Sequence, residues 1–502
     1  MKRRMRSSKT TDSIFPLKVD EFEKILRRKF ENNPDLLLSK YEHKGNKMIV
    51  FSIPYLVAEE KAEDFILKPL LNKDIEWTNE NILNEIPLGE SKTFQSLEKI
   101  LDNLLLGGVF IYIEGENEVI SYLLLNKEKR NLEKAETESL VLGPKLAFTE
   151  SLFTNLNIVR FRIRSTDLVL KKITIGKTIP REVRLIYMKS IANEEDVNTM
   201  RQRLLDLDVD EIEDSVILKQ YLEDSSTNLF PQFESTELPD RLTYGVTKGK
   251  IGVLVENSPM AIVAPANLFS FLESTEDLYM RWHEGTFLRL LRIVALFFSF
   301  IITPLYVAVA TYQFGLIPTQ LLISLGESRA QVPFPPLLEA LILEFLMELL
   351  REAGARLPTK VGQTMGIVGG IVIGQAAVEA GITSNILIIV VAMSALASFT
   401  SPSYFIGTTV RVIRFPLILL AGLFGILGII FGLSFLTIHL IRLTSLGRPY
   451  LLPLYPLHVR DFNKVFYRTP ISYKNKLAKA YQPKRLIRFP REEAAKKQDI
   501  DE

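Results

Sequence analysis

The stretch Pro333–Pro358, PFPPLLEALILEFLMELLREAGARLP, decides how the rest of the chain is read. It is helix-length and rich in Leu and Ile, yet it carries Glu339, Glu344, Glu348, Arg351, Glu352 and Arg356. At about 100° per residue, Glu344, Glu348 and Glu352 share one helical face with both arginines. The opposite face is aliphatic apart from Glu339. The runs on either side read as membrane-spanning, and an ionisable row at membrane depth is costly unless it meets water or a partner. Two arrangements satisfy that condition. The helix lines an aqueous path or a subunit interface, or it lies flat at the membrane surface with Glu348–Arg351 and Glu352–Arg356 as intrahelical pairs.

Outward from this stretch, Asp277–Arg292 is amphipathic, with Arg281, Arg289, Arg292, Tyr279 and Trp282 as the cations and interfacial aromatics of a segment approaching a membrane from the cytosol. Ile293–Phe314 has no charge and is long enough to span, with a kink expected at Pro304. Gly315–Pro336 reads as a connection on the far side. Gly366, Gly370 and Gly374 are spaced four apart, which lets a neighbouring helix approach closely, and Gln375 and Glu379 extend this small-residue face with polar atoms. Ile386–Ala397 is apolar but short, Ser398–Ser403 is a breaker, and Leu417–Ile441 reads as one final span, with Ala421–Gly425 and Gly428–Gly432 as close-packing pairs. Flanking arginines put both ends of this region on the cytosolic side, so the number of crossings is even. If Pro333–Leu350 spans, one of the shorter segments is re-entrant; if it does not, four crossings result.

The preceding half is polar and mixed. Val19–Phe30 has helical spacing, Lys47–Leu56 is a strand closed by Pro54, and Gly108–Ile113 with Val119–Leu125 is a hairpin preceded by a helix at Phe94–Leu106. Charged Asn131–Leu140 reads as a linker. A second unit follows: a helix over Thr149–Ser165 capped by Thr149, strands at Leu168–Ile175 and Arg184–Met188, a helix at Asp196–Leu207, and a hairpin joining Gly249–Glu256 to Ala261–Ala264. The stretch Gly245–Lys250, GVTKGK, hints at a phosphate loop but is one residue short of the motif, and Ile251 replaces the magnesium-binding Ser or Thr; a hairpin turn accounts for it.

The fold class is therefore a multidomain membrane protein. Its N-terminal cytosolic α/β region has two subdomains, residues 15–135 and 140–275. An α-helical transmembrane domain (285–445) and a short basic cytosolic tail (446–502) follow, the tail's cations favouring anionic lipid or plain solvation. The 502 residues carry a net charge of +2, which offers no bulk case for nucleic acid. There is no cysteine, and the four histidines are scattered without ligand spacing, so no metal and no cofactor are expected. The basic N-terminus has no apolar core after it and does not read as a signal peptide. No nucleophile or acid–base set stands out, so an enzyme is not expected.

Six blocks carry a family resemblance: LGPKLAFTESLFTNLNIVRFRIRS at Leu142–Ser165, LFPQFESTELPDRL at Leu229–Leu242, ESTEDLYMRW at Glu273–Trp282, the Pro333–Pro358 stretch, GIVGGIVIGQAAVEAGITS at Gly366–Ser384 and LGRPYLLPL at Leu446–Leu454. Over nearly its whole length the chain resembles the A-subunits of spore germination receptors, the GerA family, more weakly in the first hundred-odd residues. The resemblance implies a multi-pass protein of the spore inner membrane. It also implies two partners, a transporter-like B-subunit that binds nutrient and a C-subunit lipoprotein, although some family members work with other spore proteins. A ring of A-subunits, a pentamer, would form a nutrient-gated cation channel whose opening starts germination by ion release. On that reading Glu339, Glu344, Glu348, Arg351 and Glu352 border the pore or a subunit interface, while Gly366, Gly370, Gly374, Gln375 and Glu379 pack helices. Two alternatives stand beside it. One is a secondary transporter subunit with an interrupted helix near Gly374–Glu379 or Ser398–Ser403, against which no inverted repeat is visible. The other is a membrane scaffold for the germination complex.

Overall fold

The computed structural model of the chain describes residues 16, 18–30, 35–72, 76–86, 88, 91–125, 135, 138, 140, 142–356, 374–470 and 475–488. Two five-stranded sheets come first. β1 (Leu37–His43), β2 (Asn46–Ser52), β3 (Ser91–Phe94), β4 (Gly108–Ile113) and β5 (Val119–Leu123) form one, in the order β1-β2-β4-β5-β3. β6 (Leu168–Ile175), β7 (Arg181–Met188), β8 (Glu234–Thr236), β9 (Ile251–Val255) and β10 (Ala261–Ala264) form the other, in the order β6-β7-β9-β10-β8. The two orders are the same pattern, and every strand pair in both is antiparallel. The expected hairpin is β4–β5, with Ile111 opposite Ile120.

Alternation along the first sheet gives it two apolar faces. Met48, Val50, Ile111 and Ile120 join Trp77 and Ile82 on one side. Ile49, Phe51, Phe110 and Tyr112 point the other way, into a core they share with Phe22 and Leu26 of the Val19–Lys29 helix. That same core holds Leu156 and Val159 of the Leu152–Arg162 helix and Leu168, Ile186 and Leu254 of the second sheet. The two α/β units thus meet through one continuous apolar core. A buried ion pair crosses it: Arg160 donates to Asp35 at 2.5 Å and to the Tyr55 hydroxyl at 3.3 Å, with both charged side chains fully buried. Burial raises the Asp35 carboxyl above its ordinary range, an effect that Arg160 and the Tyr55 hydroxyl only partly offset.

The helix expected from Thr149 starts at Leu152 and is capped by Ser151, whose hydroxyl accepts from the Thr154 amide, while Thr149 bonds Asn155 instead. GVTKGK is not a hairpin turn. It is the end of a Pro239–Thr247 helix leading through Gly249 into β9, and its lysines are used within the protein: Lys248 pairs with Glu273 at 3.3 Å, and Lys250 with Glu234. In the expected linker at Asn131–Leu140, most positions lie outside the described residues, but Glu138 is buried and accepts from Arg241 at 2.7 Å.

The helical region follows. Trp282–Thr311 is one continuous helix through Pro304, starting well before the expected Ile293. Pro336–Arg356, Asn385–Ser398, Tyr404–Phe424 and Ile426–Arg442 complete a bundle around Val307, Leu343, Leu387 and Ile418, and the expected far-side connection contains a further helix, Thr319–Arg329. Trp282–Thr311 and Tyr404–Phe424 are long and apolar enough to cross a membrane, with mean hydropathy 2.4 and 1.6 over their most apolar stretches. The single final span expected at Leu417–Ile441 is instead a helical hairpin. Gly425, at φ +61°, reverses the chain, and Gly428 lies so close to the Leu420 carbonyl that a Cβ there would overlap it. Small residues placed for close packing between separate spans here let one run fold back on its own first half.

One end of the bundle sits on the second α/β unit. Thr409 donates to the Leu229 carbonyl at 2.9 Å and His439 lies 3.0 Å from Asn228, while Phe230, Phe271 and Tyr450 pack against Leu296 and Ile406. At the other end Tyr312 donates to the Gly422 carbonyl at 3.1 Å. The C-terminal segment returns to the second unit, where Arg448 grips both Asp196 oxygens at 3.0 and 2.9 Å and Lys484 donates its amide to Ile191.

Candidate functional site

The opening stretch forms a helix over Pro336–Arg356, beginning on a proline whose missing N–H costs nothing at that position. Its charged residues do not stay together as a row. Leu338, Phe345 and Leu349 face outward with Glu352 and Arg356, and the other acidic residues turn into the bundle. Glu339 is buried and accepts from the Ser384 amide at 2.5 Å and the Thr383 hydroxyl at 3.2 Å, with Arg329 at 3.8 Å. Glu344 is fully buried. One of its oxygens accepts from Thr303 of the long first helix at 2.8 Å and the other from Arg414 at 2.5 Å. One turn on, Glu348 accepts from Arg411 at 3.4 Å and lies 3.9 Å from Arg351. Arg351 donates to the Ser398 hydroxyl at 3.2 Å and stacks on Phe399 at 4.3 Å. At the end, Glu352 and Arg356 form the expected intrahelical pair at 2.6 Å.

The spacing explains the pattern. Glu344 and Glu348 lie four apart, Arg411 and Arg414 three apart, and on two helices side by side these steps place two carboxylates opposite two guanidiniums. Pairing is obligatory, because a lone charge in this interior would be strongly unfavourable. Arg414 nonetheless keeps its Nε and Nη2 without a hydrogen-bond partner, although the side chain is almost entirely buried. Neither Arg411 nor Arg414 is among the candidate residues read from the sequence. Two arginines inside the otherwise apolar Tyr404–Phe424 stretch were the available signal, since each demanded a carboxylate from elsewhere.

The helix-packing candidates divide. Gly366 and Gly370 lie outside the described residues. Gly374 opens a short helix, Gly374–Glu379, with no neighbouring atom near the position a Cβ would take, and Gln375 donates to Glu379 at 2.9 Å on an exposed face.

A second cluster lies where the first long helix meets the α/β region. Arg289 and Arg292 read in the sequence as cations of a segment approaching the membrane from the cytosol. Both are instead buried on Asp277: Arg289 donates Nε and Nη2 to it at 3.3 and 3.1 Å, and Arg292 donates to both of its oxygens. Arg289 also lies 3.7 Å from Glu273, which pairs with Lys248. Burial alone would push the Glu273 carboxyl up, but the charges of Lys248, Arg289 and Lys250 outweigh it and hold the group down at about 2. A depressed carboxyl stabilises the fold above its unfolded value, and the contribution is lost as pH falls from about 4.5 towards 2. We expect Glu273→Gln to remove part of the acid limb in this window, by ~1–2 kcal/mol after allowance for partial exposure. Thermal unfolding of both proteins between pH 2 and 7 measures this; parallel curves would exclude it.

Among the described residues no group of His, Asp or Glu is placed to hold a metal ion. The family model for the Bacillus/Clostridium GerA spore germination protein matches residues 24–480. The chain belongs to the GerA family. Among GerA relatives, spore germination protein GerQA of Bacillus cereus is 46% identical over 420 residues, covering 83% of this chain and 84% of that one. A Bacillus subtilis relative named an uncharacterized membrane protein, YfkQ, is 33% identical over 445 residues, covering 88% of this chain and 86% of its own. Among solved structures, the N-terminal domain of the A subunit of the Bacillus megaterium spore germinant receptor GerK3 is 25% identical and covers 51% of this chain and 97% of its own, with a TM-score of 0.40.

Proposed function

We propose that this chain is the membrane-embedded A-subunit of a spore germination receptor, and that copies of it surround an aqueous path through which monovalent cations leave on a nutrient signal. The observation that carries the reading is the pair of ion pairs, Glu344–Arg414 and Glu348–Arg411, set between helices of an apolar bundle. Buried ion pairs add no stability over well-packed hydrophobic residues in their place, and this fits an element that changes partners. The half-unbonded Arg414 guanidinium supports the same view, since an unsatisfied buried group marks a place where another arrangement competes. In this reading the Pro336–Arg356 helix is the gating element. Its uncovered residues Leu338, Phe345 and Leu349 meet the neighbouring copy, and a B-subunit and a lipoprotein C-subunit complete the receptor.

The membrane assignment rests on the two long apolar helices and on their outward side chains, among them Phe297, Phe298, Leu419 and Leu423, which only lipid or a partner would cover. Glu348→Gln weakens the hold of Arg411 without removing the side chain's volume. We expect severalfold faster or slower potassium release from spores carrying it, with the protein present at its normal level. Nutrient-triggered potassium release at the unaltered rate would remove Glu348 from gating. Normal release from spores lacking the chain would end the channel proposal.

A further inference from the structure

A cleft of about 730 Å³ opens where the second α/β unit, the start of the Trp282–Thr311 helix and the C-terminal segment meet. Its size suits a small ligand, and its walls mix apolar and charged groups. The C-terminal segment, which in sequence is only a basic tail, is here one wall. Tyr481 lies 3.3 Å from the Ser270 hydroxyl, and the Ala480 amide donates to Asp461 at 2.9 Å.

Charge in the cleft is one-sided. Lys248, Arg289, Arg468, Lys476, Lys479 and Arg488 line it, against only Glu273 and Asp461. Both acids are already engaged, Glu273 with Lys248 and Arg289, and Asp461 with the Ala480 amide. Lys476, Lys479 and Arg488 are exposed, and their side chains make no hydrogen bond or ion pair among the described residues. Deeper in, Arg468 is 4% exposed and is held by the Leu278 and Met280 carbonyls, yet its Nε has no partner. A buried donor left unsatisfied beside a cavity ringed by cations calls for an anion.

We infer that this cleft binds a phosphate group, with Arg468 at its base and Lys476, Lys479 and Arg488 around its mouth. Arginine and lysine converging from one side suit a tetrahedral dianion better than a single carboxylate. The same chemistry is offered by a free phosphate and by an anionic lipid headgroup, and the cleft adjoins the first long apolar helix. Occupancy would tie the C-terminal segment to Arg289 and so to the joint between the α/β region and the bundle. The inference does not depend on the channel reading, because it concerns binding alone.

Calorimetric titration of the full-length protein with inorganic phosphate tests it. In phosphatidylcholine nanodiscs we expect saturable binding, weakened at least tenfold by the combined substitution Lys476→Glu, Lys479→Glu and Arg488→Glu. All three residues are exposed, so the variant is expected to keep the fold. Charge reversal at Lys47, Lys92 and Lys99, exposed on the first α/β unit, should leave binding intact. Nanodiscs of phosphatidylglycerol separate the sources: competition with inorganic phosphate assigns the site to headgroups, and undiminished phosphate binding assigns it to a soluble ligand. Absence of saturable binding in both nanodiscs, or equal loss in the two charge-reversed proteins, overturns the proposal.

Discussion

Glu344→Met should destabilise the folded protein by ~3–5 kcal/mol, because it leaves the Arg414 guanidinium buried with no opposing charge. Arg414→Met should cost a similar amount for the converse reason. The double substitution should recover most of that loss, since two apolar side chains of similar volume satisfy the interior without desolvating any charge. Thermal unfolding of the detergent-solubilised protein measures all three. Additive losses in the double variant would show that the two side chains do not act as a pair. The double variant also separates structure from function. It should fold, yet potassium release from spores carrying it should lose its normal dependence on nutrient. Wild-type release from a stably folded double variant would leave the pair a purely structural device.

Arg160→Met should have an effect of comparable size in the other half of the molecule. Asp35 would stay buried, with Arg184 at 3.5 Å as its remaining cation. We expect a loss of ~3–5 kcal/mol at neutral pH, read from denaturant unfolding of the full chain. The pH dependence gives a sharper check. A carboxyl whose folded-state pKa lies above its unfolded value of 3.8 takes up a proton more readily when folded, so the folded state gains as pH falls. Removing Arg160 takes away a charge that opposed this rise, and the variant should regain stability as pH is lowered from 7 towards about 4. A deficit that stays constant or grows over that range would mean that Asp35 is not the group left exposed to the penalty.

Because the Arg160–Asp35 pair and the surrounding core join the two α/β units, the same substitution also tests whether they behave as one body. A single unfolding transition in the wild-type chain that splits into two in Arg160→Met is the expected signature.

Much of the local architecture was legible in the sequence because it depends on short-range rules. Two strand-like runs at Gly108–Ile113 and Val119–Leu125 on either side of turn residues forecast a hairpin, and helical spacing over Val19–Phe30 forecast the helix found at Val19–Lys29. The short edge strands β3 and β8 left no comparable trace, since Ser91–Phe94 and Glu234–Thr236 are too brief and polar to alternate. The Leu417–Ile441 run misled for a different reason. Hydropathy counts apolar residues without regard to direction, and only the left-handed backbone at Gly425 decides that the chain turns back.

What the sequence determined by itself was the inventory: an acidic helix that had to find partners, two arginines in an apolar segment, a basic C-terminal segment and family membership. Which charge meets which was decided by tertiary structure alone. Glu344 reaches Arg414 across 70 positions of chain, Asp35 reaches Arg160 across 125, and the tail lysines reach the edge of a cleft begun more than two hundred residues earlier. Periodicity places a side chain on a face, but the cost of burying an unpaired charge is settled only when another element comes to lie opposite it.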